Sequence, residues 1–359
     1  MSPSHRPWSR FALPAPLAFG LALSGCATGS PGDATEPALT DSAPPSVSPA
    51  PSTPSASPSA SAVAPSVSFA FEEAPVVTRE LTGVDERYIN PGAVIDDDGT
   101  LHMFANLFTS WPGRVSVVHL RSTDGVEWAL AEPDPVLTRD DVPFARTGID
   151  VSTGFIDATG QWVLIFETVE NSEPWVLGRA TAPGPDGPWT VDLAPILEAG
   201  SAGEWDAGGL SWPSVAATNG GFAMYYTGLD RPRGTGAIGL ATSTDGAAWT
   251  KHEGPVLTGE ATWELRRLDR PRVAMTPRGL VMVYAGGQLT DRGIAWSDDG
   301  VTWRRDGEAP VIEQAGYPAI GQAWDAALLS RDGRLLYYLE IGITSEAGTQ
   351  VYLATASIP

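Results

Sequence analysis

The chain has 359 residues, 42% of them apolar, with 43 acidic against 22 basic side chains and a formal net charge of −21. That is enough apolar material for a large core. It is also far too much negative charge for nucleic acid or an anionic lipid surface to be a partner, and one cysteine leaves no intrachain disulfide.

The N-terminus reads MSPSHRPWSRFALPAPLAFGLALSGC. Two arginines precede an apolar stretch too short to cross a membrane, which predicts a secretory signal over residues 1–25. Leu23-Ser24-Gly25-Cys26 resembles the lipobox of bacterial lipoproteins, in which cleavage leaves the cysteine as an acylated, palmitate-type anchor. Residues 26–66 are then almost wholly Ser, Pro, Ala, Thr and Gly, a composition that builds no core and predicts a disordered tether. Lipid anchor, spacer and a globular head over 67–359 together predict extracytoplasmic display on a bacterial cell membrane. Without the two signal arginines, 20 basic face 43 acidic groups, and Lys251 is the one lysine.

From residue 69 onward the chain repeats. A Pro followed by two aliphatics stands at Pro75-Val76-Val77, Pro135-Val136-Leu137, Pro195-Ile196-Leu197, Pro255-Val256-Leu257 and Pro310-Val311-Ile312, at intervals of 60, 60, 60 and 55 residues. Six or seven residues ahead of the last four lies a turn ending in Trp: STDGVEW to Trp128, PDGPW to Trp189, STDGAAW to Trp249 and SDDGVTW to Trp303. Within one unit, Gly209 to Gly259, four strand-like runs are separated by Asn-Gly, Gly-rich and Asp-Gly turns, with no helical period. Four strands per unit at a steady period of this size predict the blades of a β-propeller rather than a sandwich. The last unit stops at Pro359 after its third strand, and the upstream copy FAFEEAPVVT supplies a fourth, so five blades are expected, with residues 69–78 completing the last. The recurrent Trp residues then belong between blades, as architecture.

Function is expected where the units differ. Aligned on Val94, Phe155, Val215, Val273 and Leu328, the inner strands carry Pro91, Ser152, Trp212, Arg270 and Asp325 three residues earlier. One step before these stand Asn90, Val151, Ser211, Asp269 and Trp324, and before those Ile89, Asp150, Leu210, Leu268 and Ala323. Carboxylates, an arginine, an amide and indoles around a funnel suit a carbohydrate: carboxylates act as general acid, base or charge stabiliser, and indoles stack on sugar faces. Asp150, Asp269 and Asp325 are the candidate catalytic groups; Asn90, Trp212, Arg270 and Trp324 the candidate sugar contacts. The structural alternative is that Asp269 and Arg270 pair with Arg272 and nearby acids. Carboxylates also recur ahead of the inner strands at Val84-Asp85, Trp205-Asp206 and Trp263-Glu264, where they are expected to ring the funnel mouth. No metal site is expected. His102, His119 and His252 lack ligand spacing, and Asp96-Asp97-Asp98 reads as a hairpin turn rather than a Ca²⁺ loop.

The stretch WPSVAATNGGFAMYYTGLDRPRGTGAIGLATSTDGAAWTKHEGPVL resembles the blades of the five-bladed glycoside hydrolases of families 32, 43, 62, 68 and 130. The sialidase Asp box is the rival, but Asp245-Gly246 is one residue tighter than that box. The resemblance implies a funnel site that cleaves glycosidic bonds by hydrolysis or phosphorolysis, with an acid in the first blade, a second in the next and a Glu in the third. Here YINPGAV has Asn90 at the first position, Asp150 fits the second, and the third strand offers only Ser211 and Trp212, with Glu204 and Asp206 nearby. A glycan-active enzyme, a glycan-binding propeller without catalysis, and a protein-interaction propeller are the three readings, for a chain expected to be monomeric.

Overall fold

The computed structural model describes residues 65–83, 86–170, 174–232, 234–319, 321–344 and 348–359. The expected signal (1–25), Cys26, nearly all of the expected tether (26–66) and Val84-Asp85 lie outside the described residues.

Five antiparallel sheets follow one another along the chain. Blade one is Tyr88–Asp97, Thr100–Phe108, Val115–Ser122 and Ala129–Leu130. Blade two is Gly148–Ile156, Trp162–Val169, Leu177–Ala182 and Thr190–Val191. Blade three is Gly209–Thr218, Gly221–Leu229, Gly236–Ser243 and Thr250–Lys251. Blade four is Leu268–Thr276, Gly279–Gly286, Asp291–Ser297 and Arg304–Arg305. Blade five is Gln322–Arg331, Arg334–Thr344 and Gly348–Ser357, with Ala70–Phe71 as its outermost strand. The first strand of each blade touches the first strands of both neighbours, which closes a ring. The fold is a five-bladed β-propeller.

The closure expected from the repeat is present. Ala70 pairs with Thr355 and Phe71 with Ala354. The Pro-aliphatic segments make one and the same bond in all five blades: the N–H of Val136, Ile196, Val256, Val311 and Val76 donates to the third strand at Val117, Leu177, Ile238, Arg292 and Val351, at 2.7–2.8 Å. The upstream copy thus does for blade five what the downstream copies do for the rest, pairing along the outer side of its third strand.

The Ser-x-Asp-Gly turns are equally uniform. Ser122 Oγ accepts the Gly125 N–H at 2.8 Å, and Asp124 Oδ1 accepts those of Val126 and Glu127 at 2.9 Å. Ser243/Asp245 and Ser297/Asp299 repeat the pattern, which is why Ser, Asp and Gly recur. The following Trp packs against the preceding blade: Trp128 edge-on to Tyr338 at 5.7 Å, Trp303 edge-on to Tyr225 at 5.2 Å, Trp189 edge-on to Phe104 at 5.3 Å. Tyr338 and Tyr225 in turn donate their hydroxyls to the turn carbonyls of Gly125 and Gly300. Each such buried bond contributes about 1 kcal/mol to blade docking.

Candidate active site

The inner strands all carry a bulge at the same depth, between Asn90/Ala93, Val151/Thr153, Ser211/Ser214, Asp269/Arg272 and Ala323/Ala326. Cross-strand register places Asn90 opposite Asn106, Asp150 opposite Glu167, Ser211 opposite Thr227 and Asp269 opposite Ala285. Asp150 therefore stands level with Asn90, Ser211 and Asp269, one step from the row expected from sequence. The cause is local. Blade two's inner strand ends at Ile156 and pairs with Trp162 across a longer turn, so counting back from its end slips by one residue.

The bulges allow the second strands to reach across to the next blade. Asn106, Glu167 and Thr227 occupy one position, as do Ala285 and Glu340, each paired with the third-strand residue that holds the Pro-aliphatic segment. Asn106 Oδ1 accepts the Val151 N–H at 3.0 Å, Thr227 Oγ1 accepts the Arg270 N–H at 3.0 Å, and Glu167 Oε2 accepts the Trp212 N–H. Blade one follows blade five around the ring, and its residue corresponding to Val151, Trp212 and Arg270 is Pro91, which has no N–H to give. Glu340 is thereby released from the architectural role. It instead accepts the N–H of Asp325 in its own blade at 3.2 Å, and it lines the axial cavity.

That cavity, about 640 Å³, brings together Asn90, Asp150, Trp212, Arg270, Trp324 and Asp325, with Glu340 among its further walls. Six of the seven residues expected from sequence thus meet on one site. Asp269 does not line it. Its carboxylate is wholly buried, takes an ion pair from Arg267 at 3.0 Å and accepts the Arg270 N–H at 3.0 Å. Trp212 and Arg270 both sit at positive φ, 49° and 50°, a strained backbone for large side chains that costs of order 1–3 kcal/mol each and clusters at working sites. Their side chains stack: the Arg270 guanidinium lies 4.0 Å from the Trp212 ring centroid. One face of Trp212 is thus taken by Arg270, so the indole supports the guanidinium instead of offering that face to a sugar.

The electrostatics divide the carboxyl groups. Asp325 Oδ1 holds the buried Arg272 guanidinium and the Ala326 N–H, while Oδ2 has no partner among the described residues. Burial pushes Glu340 up to about 8, with the charge of Asp325 adding to the rise and the Asp325 N–H opposing it. Burial, then the charge of Asp325, likewise pushes Glu167 up to about 8. Asp150 is raised well above the carboxylate range by burial and by the charges of Asp325 and Glu167, against the Asn90 amide that donates to it at 3.1 Å.

The acids expected at the funnel mouth are engaged elsewhere. Asp206 is paired with Lys251 at 2.6 Å and accepts the Tyr226 hydroxyl at 3.3 Å; Glu264 is paired with Arg305 at 2.8 Å and accepts the Tyr284 hydroxyl at 2.8 Å. These matched pairs tie the loop before a blade to its outer strand, which explains their recurrence in blades three and four. Glu204 caps its own turn through Ser201. Asp96 accepts the Gly99 N–H in the hairpin turn, and among the described residues no three His, Cys, Asp or Glu side chains gather as metal ligands. The buried His102 and His119 and the exposed Asp186 form a chain at 2.9 and 3.1 Å on the flank of blade one, away from the cavity.

Sequence reasoning missed Glu340 and Glu167 because it read only the first strand of each blade. The signal was present: each is the lone carboxylate of an otherwise apolar run, LLYYLEIGI and VLIFET.

Fold and site together define a five-bladed propeller whose axial cavity joins aromatic walls to the Arg270 guanidinium and three carboxyl groups. No family model and no curated protein matches the chain. Among solved structures it is similar to BT0996 in its RGII complex, with a TM-score of 0.63 at 17% identity, over 80% of this protein and 92% of that one. It is also similar to Zg3597, a family 117 glycoside hydrolase from Zobellia galactanivorans, at TM-score 0.59 and 14% identity over 81% and 91% of the two proteins. The GH43_1 enzyme from Xanthomonas citri matches at TM-score 0.55 and 15% identity over 79% and 90%. The fold is thus one found among glycoside hydrolases, and at these identities the likeness is one of fold.

Proposed function

We propose that this propeller cleaves a glycosidic bond in its axial cavity, with Glu340 as general acid and Asp325 as the charged carboxylate partner, on a chain held at the outer face of a bacterial membrane by an acylated Cys26. The observation that carries the reading is the position of Glu340: where three other blades spend this position on the next blade's N–H, Glu340 turns to the Asp325 N–H of its own blade and lines the cavity wall. A carboxyl raised to about 8 stays protonated at neutral pH and can give its proton to a leaving oxygen. Asp325, tied to Arg272 through Oδ1 and with no hydrogen bond at Oδ2 among the described residues, stabilises through its charge the positive charge that develops on the sugar ring. Asp150, raised and bonded to Asn90, stands at the cavity wall as a second protonated carboxyl, at the place the second-blade acid was expected, and Trp324 provides an apolar wall.

The test is a screen of the full chain against aryl-glycosides and plant and microbial glycans, with and without inorganic phosphate, followed by Glu340→Gln and Asp325→Asn on the active substrate. Glu340→Gln is expected to lower turnover by ~10² to 10⁴ while leaving binding nearly unchanged. Wild-type turnover should fall as pH rises through about 8, where Glu340 loses its proton. A fully active Glu340→Gln variant would overturn the assignment. Binding without turnover on every glycan would identify a glycan-binding propeller instead, and neither would favour a protein-interaction surface.

A further inference from the structure

Beside the axial cavity lies a second, of about 610 Å³, that shares three walls with it: Trp111, Trp212 and Arg270. The two cavities thus meet across an aromatic ridge. Trp111 is 40% exposed at the end of blade one's second strand, and Trp175 stands edge-on to it at 6.1 Å and edge-on to Trp212 at 6.0 Å. An exposed indole between two cavities suits the apolar face of a sugar, not a core.

The polar side of the second cavity is cationic. Arg267 and Arg270 both line it, and both have N–H groups with no hydrogen-bond partner among the described residues: Nε of Arg267, and Nε and Nη1 of Arg270. Arg270 is 9% exposed. Among the described residues, Asp269 is the one carboxylate ion-paired to both, 3.0 Å from Arg267 and 3.7 Å from Arg270. The other acid on this wall, Glu170, is already engaged by the Arg146 N–H at 2.7 Å and the Thr147 hydroxyl at 3.0 Å. A buried guanidinium with unmade hydrogen bonds is costly, and a ligand oxyanion is the group that makes them in pairs. In a chain of net charge −21, an anion has no general reason to approach, so a local cationic wall implies a specific one.

We propose that the second cavity is a subsite for an acidic sugar residue, whose carboxylate meets Arg267 and Arg270 and whose ring lies on Trp111, with the adjoining residue of the same oligosaccharide in the axial cavity. This rests on the glycan reading above and adds the substrate class: a uronate-containing chain of at least two residues. The axial cavity supplies the chemistry, and the second supplies length and charge selection.

The experiment is calorimetric titration of the full chain with di- and trisaccharides of galacturonic, glucuronic and mannuronic acid, with their methyl esters, and with inorganic phosphate. At least one free acid should bind ten-fold or more tightly than its ester, which keeps the shape and removes the charge. Arg267→Gln should shrink that preference to two-fold or less while the affinity for the ester stays as in wild type. Rescue by Arg267→Lys of part of the preference would place the effect in charge rather than packing. Equal binding of acid and ester, or an Arg267→Gln variant with its preference intact, overturns the inference while leaving a neutral-glycan reading standing. Phosphate binding that competes with no sugar shows a free-anion site and overturns it as well. Failure of every sugar of this panel to bind overturns the inference, while the glycan reading beneath it stands or falls on the wider glycan screen.

Discussion

Glu167→Gln separates the electrostatic account of the site from a purely steric one. Glu167 is completely buried, bonded to the Trp212 N–H and to Ser152 Oγ at 3.3 Å, and its Oε1 has no partner among the described residues. Burial and the charge of Asp325 raise it from 4.5 to about 8. Between these two values the folded chain holds a proton that the unfolded chain has released, so stability must fall as pH rises through the window. At ~1.4 kcal/mol per pH unit the loss from this one group is on the order of 5 kcal/mol by pH 8. Glutamine keeps the shape and the acceptor for Trp212 but does not titrate; its extra N–H, if left without an acceptor, costs about 1–3 kcal/mol at every pH. The variant should therefore be less stable than wild type near pH 5 and more stable, by about 2–4 kcal/mol, near pH 8. For a head of roughly 290 residues this is a rise in Tm of about 3–6 °C at pH 8. The assay is thermal unfolding of both proteins by circular dichroism across pH 5 to 9. Two Tm–pH curves running parallel would refute the reasoning, because they would mean Glu167 is already ionised in the folded state.

Ring closure offers a second test: deleting 67–80 removes the Ala70–Phe71 strand and the Val76 N–H bond to Val351, so the remaining head should aggregate or lose a cooperative melt, whereas deleting 28–62 should leave the melt unchanged. Equal melting of the two truncations would contradict the closure. Lys251→Met strands the buried Asp206 carboxylate beneath Tyr226 and should cost about 3–5 kcal/mol, read in urea unfolding; a change under ~1 kcal/mol would show the pair to be idle. Cys26→Ser should move the chain from the membrane fraction to the soluble fraction or leave an uncleaved precursor, and unaltered fractionation and processing would rule out the anchor.

What was legible in the sequence is what repeats. Turn chemistry and strand alternation are set by residues close in the chain, so the Ser-x-Asp-Gly turns, the Pro-aliphatic segments and the interblade Trp could be read directly. The upstream copy at Pro75-Val76-Val77 even disclosed the closure. Asn90, Asp150, Trp212, Arg270, Trp324 and Asp325 were singled out for the complementary reason, as departures from the repeat on strands that must face the axis, and they line one cavity. The tertiary structure alone decided the rest. Asp269 and Asp325 look alike in sequence, yet Asp269 turns under the cavity to Arg267 while Asp325 enters it beside Arg272. Glu340 and Glu167 share one position on their second strands, and their difference lies in what the next blade presents: a Trp212 N–H to one and Pro91 to the other. That choice is made between residues of different blades, across a bulge and a ring closure. Neither periodicity nor propensity carries it, because both describe a chain's relation to itself over a few residues, and a site in a propeller is made where distant strands converge.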